Sequence, residues 1–360
     1  MRRNTENSIT EILKLIAPGT PIRDGLENIL RAKTGALLLI TDNNEVINEI
    51  VDGGFTINEE YSSSKLYELA KMDGAIVLSG DFKKILFANA QLIPSHEVST
   101  LETGTRHRTA ERTAKQTGEL VISISQRRNI ITIFKGNDRY ILENTDTVLN
   151  KANQAIQTLE RYRKVFDSKL NVLNEYEFND IVTLQNVIVA IQRAEMVMRI
   201  AEEIEGNISE LGSDGRLVRM QLDEIVGDIE KEESFIIKDY MVKKRKKTQL
   251  EDILQKLSNL SYEELNNENS IAKILGYDMF DNFDEVGVYT RGYRILNKIP
   301  RMPISIVENL ISSFKSFQHI LAADIDHLDE VEGIGEVRAR TIKQALSRMQ
   351  EQFVFDNLLI

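Results

Sequence analysis

Residues 65–79 read KLYELAKMDGAIVLS, and this stretch decides the fold of the N-terminal part of the chain. Lys65–Lys71 reads as a helix, Asp73-Gly74 as a turn, and Ala75–Ser79 as a short apolar run with the length and Ile/Val/Leu content of a buried strand. The same kind of run recurs at Gly35–Thr41 (GALLLIT), Lys84–Ala88 (KILFA), Leu120–Ser125 (LVISIS) and Ile130–Phe134 (IITIF). Thr109–Gln116 reads as a further helix, and Asp52-Gly53-Gly54 as a turn. Strands and helices alternate, which predicts an α/β domain with a central mixed sheet over residues 1–147.

The pattern then changes. Between 148 and 285 apolar residues recur at three- and four-residue intervals, as in Ala152, Ala155, Ile156, Leu159, Tyr162 and Phe166, and again in Leu184, Val187, Ile188, Ile191, Met198, Ala201, Ile204 and Ile208. This predicts an all-α helical linker, with a stop at Gly212 and a third helix from Leu217 to about Val242 that runs into Lys243-Lys244-Arg245-Lys246-Lys247. That basic run reads as a solvated helix end complementing the helix dipole. No catalytic constellation is visible in these helices, so they read as spacer and oligomerisation surface.

Residues 286–360 contain an internal repeat. A shift of 32 residues places Leu296 on Leu328, Ile299 on Val331, Met302 on Ile334, Leu310 on Ile342 and Phe314 on Leu346. Two similar helical hairpins therefore follow one another in an all-α domain. The second turns at Glu332-Gly333-Ile334-Gly335, the first at Pro300-Arg301-Met302-Pro303.

Composition limits the chemistry. The chain has 360 residues, 42% of them hydrophobic and 28% charged, which is a folding rather than a disordered composition. It has no cysteine, which excludes disulfides, thiol nucleophiles and thiolate metal sites, and its four histidines are too scattered for a histidine-built metal cage. The N-terminus has no apolar run behind Arg2 and Arg3, and no segment approaches the roughly 18 apolar residues of a membrane span; a cytoplasmic protein without a membrane partner is expected. The formal charge of −11 argues against indiscriminate nucleic-acid binding. It is unevenly spread, however: −2 over residues 1–148, −9 over 149–286 and zero over 287–360.

Leu328–Arg340 reads LDEVEGIGEVRAR and looks like a helix–hairpin–helix motif, a sequence-independent DNA-binding module. Gly333 and Gly335 allow a tight turn and close approach of the backbone to a ligand, presenting N–H groups at the start of the next helix to a phosphate. Arg338, Arg340 and Lys343 supply positive charge where that phosphate would pass. In the first copy, Pro300 and Pro303 remove donors, while Arg291, Arg294, Lys298 and Arg301 make a basic strip. Nothing offers base readout, so shape, as in branched or bent DNA, is the expected target.

In the α/β domain two motifs combine. Asp73-Gly74-Ala75 puts a carboxylate at a strand edge, and Glu102–Arg112, reading ETGTRHRTAER, is a Gly/Thr-rich basic loop opening a helix. Together they are what a nucleoside triphosphate site needs: one binds metal, the other phosphate. These residues closely resemble the diadenylate cyclase domain family, whose signatures are DGA and RHR. The resemblance extends to Pro18-Gly19-Thr20-Pro21, Val51–Phe55 (VDGGF) and Leu66–Met72 (LYELAKM), and the order of cyclase domain, helical linker and hairpins is that of multidomain members.

The resemblance implies condensation of two ATP into cyclic di-AMP with release of two pyrophosphates, in a homo-oligomer, an octamer, whose sites face each other in pairs. It implies Mg²⁺ or Mn²⁺ bound by Asp73, which would also orient or activate the attacking 3′-hydroxyl. Gly74 would let the backbone approach the nucleotide. Arg106, His107 and Arg108 would hold the triphosphate, His107 as a neutral hydrogen-bonding group; Thr105 and Thr109 would add hydroxyl contacts, and Leu92 would line the adenine pocket. Branched DNA such as a Holliday junction would be the second partner. Two other readings start from the residues. Lys71-Met72-Asp73-Gly74 matches the KxDG core of adenylating DNA ligases, though Ile76 stands where that pattern has Arg; the hairpins alone would suit a non-catalytic branched-DNA scaffold.

Overall fold

The computed structural model describes residues 11–242 and 249–356; the basic run 243–247 lies outside them. The chain divides into two compact units, Met1–Gln154 with Ile204–Met220, and Ala155–Glu203 with Gln221–Ile360.

The first unit is built on an eight-stranded mixed sheet. Its strands are β1 (Ala36–Ile40), β2 (Val51–Asp52), β3 (Phe55–Glu60), β4 (Ala75–Leu78), β5 (Lys84–Leu92), β6 (Leu120–Ser125), β7 (Ile130–Lys135) and β8 (Asp138–Leu142). Their order is β2-β5-β4-β1-β6-β7-β8, with β3 also on β5. Only β1 and β4 run parallel, with Leu38 opposite Ile76 and Ile40 opposite Leu78; the other pairs are antiparallel. The unbroken apolar runs of β1 and β4 follow from burial on both faces. Leu38, Ile40, Ile76 and Leu78 pack on one side with Leu26 and Ile29 of the helix Pro21–Arg31. Leu37, Leu39, Ala75 and Val77 pack on the other with Ala110 and Ala114 of the helix Thr105–Thr117.

All five expected strands form. The strands β2, β3 and β8 and the helices Pro21–Arg31 and Asn44–Ile50 are additional. β3 reads FTINEE and is mostly exposed, so it carries no hydrophobic period; it is held by pairing to β5. Gly53 and Gly54 have φ of +63° and +84°, the left-handed geometry expected of the turn between β2 and β3.

The helices Thr145–Asn179 and Leu184–Leu211 form as the periodicity predicts, and Gly212 ends the second with φ +51°. The third helix does not run from 217 to 242. It is two helices, Arg216–Val226 and Ile229–Tyr240, broken at Gly227-Asp228. In the second unit, Arg163 donates to the backbone oxygen of Ile225 (2.8 Å) and pairs with Asp228 (2.6 Å), holding this break.

The repeat is visible in three dimensions. Tyr293–Leu296 and Ile325–Asp329 are its first helices; Ile304–Phe314 and the start of Glu336–Asp356 are its second. Leu296, Leu328, Leu310 and Ile342 are fully buried in one core, which also contains Ile299, Val331 and Ile334. No helix among the described residues is long and apolar enough to cross a membrane.

Candidate active site

The DGA turn and the RHR helix meet at one end of the parallel pair. Extending the β1–β4 register back from Leu38 and Ile76 puts Asp73 level with Gly35. Gly35 lies under Arg106: a Cβ built on it would fall 2.2 Å from an Arg106 guanidinium nitrogen. Asp73, just before β4, and the Arg106 guanidinium, reaching over Gly35 from the helix Thr105–Thr117, are thus brought to the same end of the neighbouring strands β4 and β1. Asp73 is exposed and Arg106 half-buried.

Gly74 has a reason within the domain for lacking a side chain. Its N–H donates to Asn89 Oδ1 (3.2 Å), and a Cβ would lie 2.4 Å from the Asn89 carbonyl carbon and 2.8 Å from the Ala90 nitrogen. A Cβ on Gly54 would likewise lie 2.8 Å from the Ala90 Cα. The two glycine turns therefore close down on the same piece of β5, and Asn89 there has φ +50°. Leu92, at the end of β5, is buried in the core beside Ala75 and Ala110.

The helix Thr105–Thr117 starts at the N-cap Gly104. Its first amides point out of the helix without an intrahelical acceptor, the usual situation at an N-terminus and one that favours anions. Thr105 and Arg108 are exposed on the first turn and Thr109 is half-buried. His107 is turned inward, with relative exposure of 6%. Its Nδ1 faces Ser123 Oγ at 3.1 Å, its Nε2 faces Thr132 Oγ1 at 3.3 Å, and its ring edge meets Phe134. Ser123 and Thr132 are direct cross-strand partners and fully buried. Burial pushes the His107 pKa below its ordinary value; nearby Glu102 opposes this, while Arg128 and Arg139 reinforce it. A neutral imidazole bonded at both nitrogens thus pins the first turn of the helix to the sheet.

The loop before this helix is strapped down by residues of the ETGTRHRTAER stretch to which the sequence reading gave no role, and by Arg128 and Arg139. Glu102 pairs with Arg139 (2.7 Å) and lies 3.9 Å from Arg128. Glu111 accepts from Thr100 and from the Leu101 N–H, and Arg112 donates to the Val98 oxygen (2.9 Å). The readable signal was polarity in the wrong place: Ser123 and Thr132 interrupt otherwise apolar strands.

Lys71 is exposed, bonds Glu68 at 2.7 Å and lies 4.5 Å from the centre of the Tyr67 ring. The Glu68 carboxylate raises its pKa, so it is held as an ammonium, the wrong form for a nucleophile. Among the described residues there is no group of three or more His, Asp or Glu side chains that could hold a metal.

At the second hairpin Gly333 has φ +83° and Ala339 N–H donates to Gly335 O at 2.9 Å, the first rung of the helix. The amides of residues 335–338 therefore remain outside the helical ladder. Arg338 folds back onto Gly333 O, and Arg340 pairs with Glu336 at 2.5 Å. Lys343 donates to Leu321 O and Ala323 O at 2.7 and 2.8 Å, capping the end of the helix Phe317–Ala322.

The basic strip expected at the first hairpin forms only in part, because two of its four cations are turned inward. Arg294 is buried, bonded to Glu177 and Asn174, and Arg291 donates to the backbone oxygens of Lys238, Asp239 and Met241 at 2.7–2.8 Å. Lys298 is exposed and lies 3.8 Å from Glu232. Arg291 and Arg294 thus satisfy backbone oxygens and a carboxylate inside the second unit, while Lys298 and Arg301 are exposed, Lys298 beside Glu232 and Arg301 without an ion-pair partner among the described residues.

Comparison with known proteins agrees with these motifs. Residues 23–139 match the family described as DisA bacterial checkpoint controller nucleotide-binding, and residues 142–283 match the DisA bacterial checkpoint controller linker region. The chain is 55% identical to the DNA integrity scanning protein DisA of Clostridioides difficile (strain 630), over 96% of each chain. It is 52% identical to that of Clostridium botulinum (strain Loch Maree / Type A3), over 99% of this chain and 100% of the other. It is 53% identical to that of Acetivibrio thermocellus, over 99% and 98%.

Proposed function

The chain belongs to the DisA family of diadenylate cyclases, and from that premise we propose that two copies present their Asp73–Arg106 edges to each other and condense two ATP into cyclic di-AMP, releasing two pyrophosphates. The observation that carries this is the meeting of the DGA turn and the RHR helix N-terminus at one end of β1 and β4. Each ATP offers its 3′-hydroxyl to the α-phosphate of the other, so one copy holds half of the reaction. Such a displacement at phosphorus depends on positioning and charge neutralisation.

In this reading Asp73 accepts a hydrogen bond from the 3′-hydroxyl or holds a divalent ion, Mg²⁺ or Mn²⁺. The ion would supply charge neutralisation at the phosphates. Arg106 and Arg108 offer forked donors to the triphosphate and to the departing pyrophosphate. Thr105, Thr109 and the free amides of the first turn add hydrogen bonds. His107 acts through position, keeping that turn on the sheet, and Leu92 supports the adenine pocket from the core side.

The second hairpin would bind the phosphate backbone of branched DNA, a Holliday junction for example, through the turn at Gly333 and Gly335 and the amides up to Arg338. Arg338 and Arg340 would exchange their internal partners for phosphates, while Lys343 supports the hairpin from behind. The name shared by the relatives, DNA integrity scanning protein, supports a DNA partner. The organisation proposed is a cyclase domain over 1–147, a linker and oligomerisation region over 148–285 and hairpins over 286–360, assembled as an octamer in the cytoplasm.

The test is direct. Purified protein with ATP and Mg²⁺ or Mn²⁺ should form cyclic di-AMP, detected by mass spectrometry, with no AMP adduct on Lys71. Asp73→Asn should bind ATP yet lose at least about 100-fold in turnover, the scale of one positioned catalytic group. Wild-type turnover by that variant would refute the assignment.

A further inference from the structure

We infer that Arg301 is the phosphate contact of the first hairpin, its guanidinium standing in for the backbone amides that the prolines remove. The inference rests on the reading of the hairpins as a DNA-binding module.

The 32-residue repeat allows the two turns to be compared position by position. Arg301 is the equivalent of Gly333, and both have left-handed backbone: φ is +60° at Arg301 and +83° at Gly333. Glycine takes this conformation freely, whereas arginine is strained in it. Arg301 is nonetheless held there, between Pro300 and Pro303, with its neighbour Met302 packed against the shared core.

The backbone donors differ between the copies. The second hairpin leaves the amides of Gly335, Glu336, Val337 and Arg338 outside the helical ladder. At the equivalent positions of the first, Pro303 has no N–H, and Ile306 N–H is turned back onto Pro303 O at 3.0 Å. Only Ile304 and Ser305 remain. A turn with half the amides holds an anion less well, unless a charge is added.

At the turn itself, that charge is carried by Arg301. Arg291 and Arg294 are committed inside the second unit, and exposed Lys298 faces Glu232 at 3.8 Å. Arg301 is exposed and makes no hydrogen bond or ion pair among the described residues. In the second hairpin the assignment is reversed: backbone amides are free, while Arg338 and Arg340 each have a partner. The two copies therefore use different donors, amides in one and a guanidinium in the other, for the same ligand, a nucleic-acid phosphate.

The experiment uses the full chain with Arg301→Gly and Arg301→Lys, a fluorescently labelled four-way DNA junction, and anisotropy titrations from about 50 to about 200 mM salt. Arg301→Gly removes the charge and relieves the backbone, so its thermal midpoint should be unchanged or higher. Its junction affinity should fall severalfold, and the slope of log affinity against log salt should shrink by about 0.9, one phosphate contact. Arg301→Lys should keep most of that slope. Wild-type affinity and slope in Arg301→Gly would overturn the inference while leaving the second hairpin as a DNA site. Equal losses in Gly and Lys variants would overturn it too, because charge would not be what matters. A wild-type chain that binds no junction would sink the DNA reading and this inference with it.

Discussion

Replacing Gly74 by alanine separates the packing of the DGA turn from its chemistry. The new Cβ would sit 2.4–2.8 Å from three backbone atoms of Asn89 and Ala90. Ordinary carbon contacts lie near about 3.5 Å, so β4 and β5 must part by about 1 Å at this point. No flexible side chain can absorb that movement, and overpacking of this kind costs about 2–3 kcal/mol. At a urea dependence of about 2 kcal/mol per molar, the unfolding midpoint of the cyclase unit falls by about 1 M. Because Asp73 precedes the displaced residue, its carboxylate moves by a similar distance, and a misplacement of about 1 Å costs about 100-fold in turnover. Gly104→Ala is the control. Gly104 has an ordinary φ of −80°, and no atom lies within 4 Å of the place its Cβ would take, so its replacement should cost no more than about 1 kcal/mol, the loss of a favourable N-cap residue. The assays are urea unfolding followed by far-ultraviolet circular dichroism and cyclic di-AMP formation at saturating ATP. A Gly74→Ala protein as stable and active as wild type, or no less so than Gly104→Ala, would refute the reasoning.

Three other outcomes follow from the same geometry. His107→Phe keeps the shape but strands the Ser123 and Thr132 hydroxyls, costing about 2–4 kcal/mol, and adding Ser123→Ala with Thr132→Val should restore most of it in urea unfolding. Since the folded His107 resists protonation, its contribution to stability is complete above its ordinary pKa of 6.5 and declines as pH falls below that value; the wild type should lose this increment progressively on acidification, and the triple variant should not. Arg294→Met leaves the Glu177 carboxylate buried without its cation and should destabilise the second unit by about 3–5 kcal/mol, whereas Arg301→Ala should be nearly neutral; equal effects in a thermal melt would refute the division of these arginines into interior and surface.

Much of the fold was open to reading along the chain, because hydrophobic periodicity reports whether a segment is buried on one face or two. KLYELAKMDGAIVLS already specifies helix, turn and buried strand, and the 32-residue repeat already specifies paired hairpins, since both are local patterns. The DGA and RHR motifs were equally visible, but their meeting at one end of the parallel pair required the β1–β4 register. β3 was invisible because an exposed strand held only by its neighbour's backbone has no hydrophobic signature. His107 sits between two arginines in sequence yet points into the core, since a helix turns successive residues by about 100° and carries it away from them.

The charges mark the boundary most clearly. Sequence alone determined how many cations lie at 291–301 and that the chain's negative charge belongs to the middle helices. Tertiary structure alone decided which of those cations remain available. Glu177 stands 117 residues from Arg294 and ends beside it in the interior. Whether an arginine is a surface ligand or an interior partner depends on carboxylates and carbonyls brought from elsewhere in the chain, and burial of a charge is paid for by those distant groups rather than by its neighbours in sequence.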